Sequence, residues 1–229
     1  IVLPGMFWGN YRLTFSVIGG AEIATYETFN EKGGFNVNAR LAKVEECGKI
    51  KGKVVVLLNF PNNPSGYTPI PEEVKAIAEK GIKVIAVTDD AYFSLFYEDS
   101  ITESVYGKLT ARHKNLLPIK LDGATKEEFV WGFRVGFITF GSTGSLKEAG
   151  MFAALEKKVT GFIRGTISNC PHPSQTLVLK SLEHPDFESQ RRQKFEILKT
   201  RALKFKEILK RGEFTDQFTY YPFNSGYFM

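Results

Sequence analysis

The stretch DGATKEEFVWGFRVGFITFG, residues 122–141, joins two predicted strands through a short loop. Residues 116–121 are apolar and predict a strand before the loop, and residues 135–140 predict a second strand after it. Lys126 would therefore lie at the exit of a strand, where poor solvation makes an amine a nucleophile toward carbonyl groups. Eight residues later, Arg134 offers a guanidinium that suits a phosphate. For this segment alone, two ordinary surface cations beside a hairpin are the simpler interpretation.

Two further strands are predicted to be buried on both faces. Residues 53–60 and 82–87 form nearly unbroken apolar runs, which are typical of parallel sheets. The first run is followed by Asn63, and the second by Asp89 and Tyr92, at the strand ends where open α/β sheets bind ligands. An acid there could pair with a protonated ring nitrogen, and a tyrosine could reach a phenolic oxygen. The alternative is that these residues only form turns and cap helices.

The rest of the chain alternates between predicted strands and helices. Strands are predicted at 1–3, 21–26 and 220–229, and helices at 7–18, 37–46, 71–80, 145–164, 174–182 and 185–211. Asn36 is the predicted cap of the second helix. Trp8, in the first turn of the first helix, is either core filler or a ring that stacks on a flat heteroaromatic group.

Composition indicates a soluble globular protein of one large domain, or one domain with part of another. The chain has 229 residues, of which 43% are hydrophobic and 24% charged. Its net charge of +5 is spread out, so no nucleic acid is expected as a partner. Cys47 and Cys170 lack metal or disulfide spacing, which favours a reducing, cytoplasmic setting without a metal. No apolar run approaches the roughly 20 residues that cross a bilayer, so no membrane is expected either.

Taken together, the polar residues at the strand ends fit one cofactor, pyridoxal 5′-phosphate, group by group. The chain resembles the class I/II aminotransferases of the aspartate aminotransferase superfamily, which have the type I fold of pyridoxal-phosphate enzymes. The resemblance spans nearly all 229 residues. The segments that carry it are Phe7-Trp8-Gly9-Asn10-Tyr11, Asn63-Pro64-Ser65-Gly66, Asp89-Asp90-Ala91-Tyr92, Lys126 with Arg134, and Asn224-Ser225-Gly226-Tyr227-Phe228.

The resemblance implies three catalytic residues. Lys126 would hold the cofactor covalently and then carry a proton during the reaction. Asp89 would pair with the pyridine nitrogen and keep it protonated, so that the ring withdraws electrons. Tyr92 would hydrogen-bond the phenolic oxygen.

The resemblance also implies the residues that bind the cofactor beside these three. Asn63 would share the phenolic oxygen with Tyr92, and Trp8 would stack on the ring. Arg134 would hold the phosphate, with help from Thr125. The family usually has a serine at the position of Gly123, three residues before the lysine. Here either the phosphate has one donor fewer, or Thr125 or a backbone N–H substitutes.

The implied architecture is a three-layer α/β fold, in which helices flank a mostly parallel sheet. Residues 1–184 would form the large cofactor-binding domain without its N-terminal part, 185–211 the interdomain helix, and 212–229 the start of a truncated small domain. The phosphate-binding loop would precede Ile1, and the arginine for the substrate carboxylate would follow Met229. A fragment of this kind is expected to be inactive by itself.

The implied activity is transfer of an amino group between an amino acid and a 2-oxo acid by a cytoplasmic homodimer. A lyase or decarboxylase of the same fold is one alternative, because the same residues serve elimination chemistry. The other is a non-catalytic, pyridoxal-phosphate-binding regulatory domain.

Overall fold

A six-stranded, mostly parallel sheet forms the centre of the computed structural model, which describes residues 1–74, 83–142 and 148–228. The strands are β1 (Val2–Pro4), β2 (Ala24–Tyr26), β3 (Lys53–Asn59), β4 (Lys83–Asp89), β5 (Leu116–Gly123) and β6 (Gly136–Phe140). They lie in the order β2-β1-β3-β4-β5-β6. The first five are parallel, and β6 pairs antiparallel with β5. The predicted α/β fold with a mostly parallel sheet is confirmed.

Helices flank this sheet. The α-helices are α1 (Val37–Lys51), α2 (Pro71–Val74), α3 (Val105–Leu109), α4 (Ala124–Glu127), α5 (Glu148–Thr166), α6 (His172–Leu182) and α7 (Phe187–Lys210). A π-helix spans Arg12–Ile18, and a 3-10 helix spans Trp131–Phe133. Within the described ranges, none of the helices combines the length and apolar character needed to cross a membrane.

Strand β3 is buried on both faces, as its apolar run predicts. Val54 and Val56 belong to the core cluster that α1 covers on one face. Leu57 packs on the other face with Leu3 and Tyr11, next to the π-helix. A strand enclosed in this way has no solvent-facing side, which explains why its sequence does not alternate with polar residues.

Helix α1 starts where the sequence predicts and ends later. The Asn36 side chain accepts a hydrogen bond from the Ala39 amide at 3.1 Å, which caps the first turn. The helix continues past the predicted end at residue 46 to Lys51. Gly52 then ends it in a left-handed conformation with φ +69°, which glycine adopts without steric cost.

The prediction of a helix over residues 7–18 is wrong at its start and in its type. The first backbone hydrogen bonds between residues three apart run from the Tyr11 amide to the Trp8 carbonyl and from the Arg12 amide to the Gly9 carbonyl. Residues 7 and 8 therefore precede the helix, and the segment after Tyr11 winds as a π-helix. Gly20, with φ +64°, lies just beyond its end.

The prediction of a strand over residues 220–229 is also wrong for the described residues up to 228. This segment forms only an isolated bridge, between Ser225 and Phe96. The Asn224 side chain instead accepts from the Thr68 amide at 2.8 Å and donates to the Thr68 carbonyl at 2.9 Å. The backbone amides of Asn224 and Ser225 donate to the Gly66 carbonyl, and that of Gly226 donates to the Leu95 carbonyl, so the segment docks on the loops after β3 and β4 and does not pair as a strand.

The remaining predicted helices agree within a few residues where they are described. Helix α6 begins two residues before the predicted start at 174, and α7 occupies most of the predicted 185–211. Parts of three predicted elements lie outside the described residues. Residues 75–82 include the end of the predicted helix 71–80 and the first residue of the predicted strand 82–87. Residues 145–147 are the start of the predicted helix 145–164.

Candidate active site

One cavity opens at the carboxyl ends of the parallel strands. In the sheet register, Asn59 at the end of β3 is opposite Asp89 at the end of β4, and Asp89 is opposite Leu121 of β5. The cavity has a volume of about 440 Å³. All seven residues that the sequence analysis assigns to cofactor binding line it, together with others: Trp8, Tyr11, Asn59, Asn63, Asp89, Ala91, Tyr92, Leu121, Asp122, Gly123, Thr125, Lys126, Trp131, Arg134 and Phe228.

Asp89 is held by three neighbours. Its Oδ2 accepts a hydrogen bond from the Tyr11 hydroxyl, and its Oδ1 accepts one from the Ala91 amide at 3.0 Å. The Asn59 side-chain amide donates to the Asp89 carbonyl at 2.9 Å and so fixes the backbone. Burial raises the pKa of Asp89, and the Tyr11 hydrogen bond opposes that rise. A carboxylate with two of its roughly four acceptor positions in use still has capacity for a cationic N–H donor.

Asn63 and Tyr92 form a polar pair on another wall of the cavity. The Asn63 side chain hydrogen-bonds the Tyr92 phenol, which lowers a pKa that burial otherwise raises. Asn63 is itself positioned by its amide, which donates to Asn59 Oδ1 at 2.8 Å. The loop after β3 and the loop after β4 therefore present an amide and a phenol side by side, which suits an oxygen that accepts two hydrogen bonds.

Lys126 lies on the one-turn helix α4, directly after β5. Its Nζ is 5.9 Å from the centroid of the Tyr92 ring and 5.4 Å from that of Tyr227. Both distances are within the reach of a cation–π contact, so the amine faces aromatic surface. The contact with Tyr227 was not anticipated from the sequence, because it comes from the wrongly predicted C-terminal strand.

Arg134 and Thr125 lie together at one end of the cavity. The Arg134 Nη1 is 3.5 Å from the Thr125 hydroxyl and 3.3 Å from the Trp131 carbonyl oxygen. Arg134 has φ +55°, an uncommon conformation for a residue with a side chain. A guanidinium beside a hydroxyl is a donor set that suits an anion with several oxygens.

Trp8 contributes a partly exposed ring to the cavity wall. Its side chain is 44% exposed, and its ring meets the Tyr11 ring edge-on at 5.5 Å. Tyr11 also lines the cavity, and the sequence analysis placed it in a segment that carries the resemblance without giving it a role in the site. The available signal was its position three residues after Trp8, which places both side chains on one side of a helical turn.

A largely buried ionic group adjoins the cavity, which one of its members, Asp122, lines. Lys120 Nζ is 2.6 Å from Asp122 Oδ1 and 3.6 Å from Asp90 Oδ2. Asp90 is 1% exposed, and burial raises its pKa to about 6 although Lys120 lowers it. The ammonium offsets the charge of the two carboxylates beside Asp89. Among the residues that the structure describes, no group of three or more His, Cys, Asp or Glu side chains could hold a metal ion.

Comparison with known proteins points to one family. The family model for aminotransferase class I and II matches residues 1–229. The chain is 30% identical over 140 residues to the probable N-acetyl-LL-diaminopimelate aminotransferase of Bacillus subtilis, covering 60% of this chain and 33% of that protein. It is 26% identical over 211 residues to the cytoplasmic aspartate aminotransferase of Saccharomyces cerevisiae, covering 89% of this chain and 49% of that protein. The chain thus spans half or less of the length of these relatives.

Solved structures share the fold. An aminotransferase from Anaerococcus prevotii matches with a TM-score of 0.82 at 21% identity, over 98% of this chain and 56% of that one. The aromatic-amino-acid aminotransferase of Burkholderia pseudomallei, solved covalently bound to pyridoxal phosphate, matches with a TM-score of 0.66 at 22% identity. That match covers 87% of this chain and 49% of the other.

Proposed function

Because this chain belongs to the class I and II aminotransferases, we propose that its cavity binds pyridoxal 5′-phosphate and that the full-length protein transfers amino groups. One observation carries the proposal. Asp89 at the end of β4 lines the same cavity as Lys126 and Arg134, which both come from the stretch 122–141. They are an amine, an acid and a guanidinium, which are the groups that an aldehyde, a ring nitrogen and a phosphate require.

The residues present fit this cofactor. The cavity volume of about 440 Å³ is in the range of small-molecule sites. Asp89 keeps free acceptor positions for a protonated ring nitrogen, and the Asn63–Tyr92 pair suits the phenolic oxygen. Trp8 offers a flat, partly exposed ring for stacking. The fit is weakest at the phosphate, where Gly123 contributes no hydroxyl.

When bound, the cofactor supplies an electron sink for the bond that breaks at the substrate α-carbon. Lys126 holds the cofactor through its Nζ and then moves the proton at the α-carbon. The Asp89 carboxylate holds the positive charge on the ring nitrogen, and Tyr11 keeps that carboxylate oriented. Arg134 and Thr125 anchor the phosphate, so that the ring stays in a fixed position relative to the lysine.

The relatives suggest the substrate class. The yeast and Bacillus proteins are named for aspartate and for N-acetyl-LL-diaminopimelate. We therefore propose an amino acid and a 2-oxo acid as the substrates of the full-length protein, in the cytoplasm. We also propose a homodimer, supported by the exposed apolar side chains of Leu13, Val17 and Ile18 on the π-helix beside the cavity.

We propose the domain division that the resemblance implies. Residues 1–184 would form the cofactor-binding domain, 185–211 the interdomain helix, and 212–229 the first part of the second domain. The docking of Asn224 on Thr68 modifies this picture, because the last part begins in contact with the first.

Borohydride reduction of the cofactor-loaded, full-length protein tests the proposal. Reduction should fix the cofactor on the lysine that carries it, and peptide mapping should find it on Lys126. A Lys126→Ala variant should lose both the label and transamination, whereas Lys108→Ala, at an exposed lysine on α3, should retain them. A label on any other lysine would exclude Lys126 from this role.

A further inference from the structure

Arg191, near the start of α7, contacts a hydroxyl and three carboxylates. Its Nη2 donates to Ser94 Oγ at 2.6 Å and lies 3.8 Å from Glu127 Oε1. Its Nε is 3.5 Å from Glu128 Oε2, and its Nη1 is 3.9 Å from Glu188 Oε2. The proposed reaction assigns no role to this group.

The partners of Arg191 adjoin the cavity. Ser94 comes two residues after Tyr92, and Glu127 comes directly after Lys126. Ser94 has φ +70°, and Phe129, which closes the turn after Lys126, has φ +58°. Both values lie in the left-handed region that residues with side chains rarely adopt, so contacts from the surrounding structure must hold them.

The ion pairs of Arg191 differ from ordinary surface pairs, which contribute little. The Glu127 and Glu128 side chains are 21% and 16% exposed, and that of Arg191 is 26% exposed. Charges shielded from water in this way interact more strongly than exposed ones. One guanidinium on α7 therefore joins two loops that are otherwise separate in the chain.

We propose that Arg191 is a positioning residue, which fastens the turn after Tyr92 to the turn after Lys126 and so sets where the Lys126 amine lies against the Tyr92 ring. This inference rests on the proposed function, since it is there that Lys126 and Tyr92 acquire their roles. Arg191 touches neither residue directly and acts through Ser94 and Glu127.

The strength of this link should depend on pH, because one carboxylate titrates near neutrality. Burial raises the pKa of Glu127 to about 7, with a further rise from Glu128 and an opposing effect of Arg191. Ionised Glu127 attracts the guanidinium and protonated Glu127 does not, so the link should tighten as pH rises through about 7. The charged groups that face Glu127 from β5, α7 and its own loop are Lys120, Asp122, Glu128, Glu188, Arg191 and Arg192.

The test measures how fast an amine-specific reagent modifies Lys126 in the cofactor-free, full-length protein across neutral pH, with peptide mapping. Beyond the smooth rise that any amine shows, the wild-type profile should contain a step near the titration of Glu127. Glu127→Gln should remove the step. Arg191→Gln should also remove the step, because ionised Glu127 then has no guanidinium to attract. Arg191→Lys should restore much of the original profile.

Arg201→Gln is the matched control, because Arg201 is an exposed cation further along the same helix. It should leave the step unchanged, and thermal unfolding should report whether each variant is folded. A folded Arg191→Gln variant with the wild-type profile would overturn the proposal. If that variant does not fold, an unchanged step in Glu127→Gln overturns the proposal equally. The labelling needs no cofactor, so its result is independent of the borohydride result on Lys126.

Discussion

Single side chains set the charge inside the cavity, and Tyr11 acts on Asp89 most directly. The Tyr11 side chain is 5% exposed, and its hydroxyl donates to the Asp89 carboxylate. This hydrogen bond favours the ionised form of Asp89, while burial favours the neutral form. The proposed pairing of Asp89 with a cationic ring requires the ionised acid, so the Tyr11 hydrogen bond supports that proposed role.

Tyr11→Phe should therefore raise the pKa of Asp89 further. The pKa of Asp89 in the folded protein is already above its unfolded value, so the free energy of unfolding falls as pH rises from the unfolded pKa to the folded one. Because the folded pKa is higher in the variant, this fall should continue to a higher pH than in the wild type. Carbon NMR of the labelled carboxyl group in the cofactor-free protein would measure the shift. Tyr26→Phe is the control, because the buried Tyr26 hydroxyl has no hydrogen-bond partner within the described part of the chain. Equal titration curves for Tyr11→Phe and the wild type would contradict the role given to Tyr11.

Arg134 should account for much of the cofactor affinity. A charge-assisted bond is worth roughly 1.5–3 kcal/mol, so Arg134→Ala should weaken binding by about tenfold to a hundredfold in Kd. Gly123→Ser should tighten binding, because it adds the missing hydroxyl donor. Gly123 has an extended φ of −154°, and a Cβ there would meet only the Val135 carbonyl oxygen, at 3.9 Å, so serine fits without strain. Fluorescence titration would measure both, with exposed Arg112→Ala as the control. Unchanged affinity in Arg134→Ala would assign the phosphate to other donors.

At the scale of elements, the loop after β3 and the C-terminal segment are built around Gly66. This glycine has φ +67°, and its amide and carbonyl bond to Asn62 and to residues 224 and 225. A Cβ at Gly66 would lie 1.9 Å from the Phe228 carbonyl oxygen and 2.9 Å from that of Ser225. The close approach of the two backbones leaves no room for a side chain.

Gly66→Ala should separate the C-terminal segment from the loop. Gly52 provides the comparison, because it has φ +69° and no atom within 4 Å of a built Cβ. Gly52→Ala should lower the free energy of unfolding by about 1–2 kcal/mol, because alanine is strained in the left-handed conformation. Gly66→Ala should lower the free energy of unfolding by roughly twice that amount or more, because its Cβ would also collide with the Phe228 carbonyl oxygen. Urea denaturation would measure the difference, and equal losses would show that the segment moves aside freely.

Elements that depend on local sequence were predicted well, and those that depend on distant contacts were not. The apolar runs of β3 and β4 and the cap at Asn36 are local signals, and they located the polar residues at the strand ends. The π-helix was missed because apolar spacing does not determine which carbonyl each amide bonds to. The predicted C-terminal strand was wrong because the backbone amides of residues 224–226 donate to Gly66 and Leu95, which are distant in the chain and belong to no strand.

Contacts between residues that are distant in the chain also limited what could be predicted of the site. Tyr11 is 78 residues from Asp89, and Arg191 is 97 residues from Ser94. No periodicity in the sequence specifies such partners. Lys126 and Asp89 were found because each follows a strand that its own neighbours define.

At the scale of the whole molecule, α7 connects the C-terminal segment to the sheet domain. The Lys206 ammonium donates to the Phe223 carbonyl at 2.7 Å and forms an ion pair with Glu98. Arg191, just over four turns earlier on the same helix by the usual ~3.6 residues per turn, contacts Glu127 beside Lys126. Displacement of this one helix would therefore reach both the cavity wall and the docked segment.

The docking of Asn224 on Thr68 also fixes an order of events on the ribosome. The two residues are 156 apart, so at roughly 5–20 residues per second Thr68 is synthesised about 8–30 s before its partner. During that interval the Thr68 amide and carbonyl lack their Asn224 partner. Phe228, which lines the cavity, arrives later still. A nascent chain thus carries Lys126 and Asp89 for some seconds before Phe228 is present to line the cavity with them. The cavity can form completely only after Phe228 has left the ribosome.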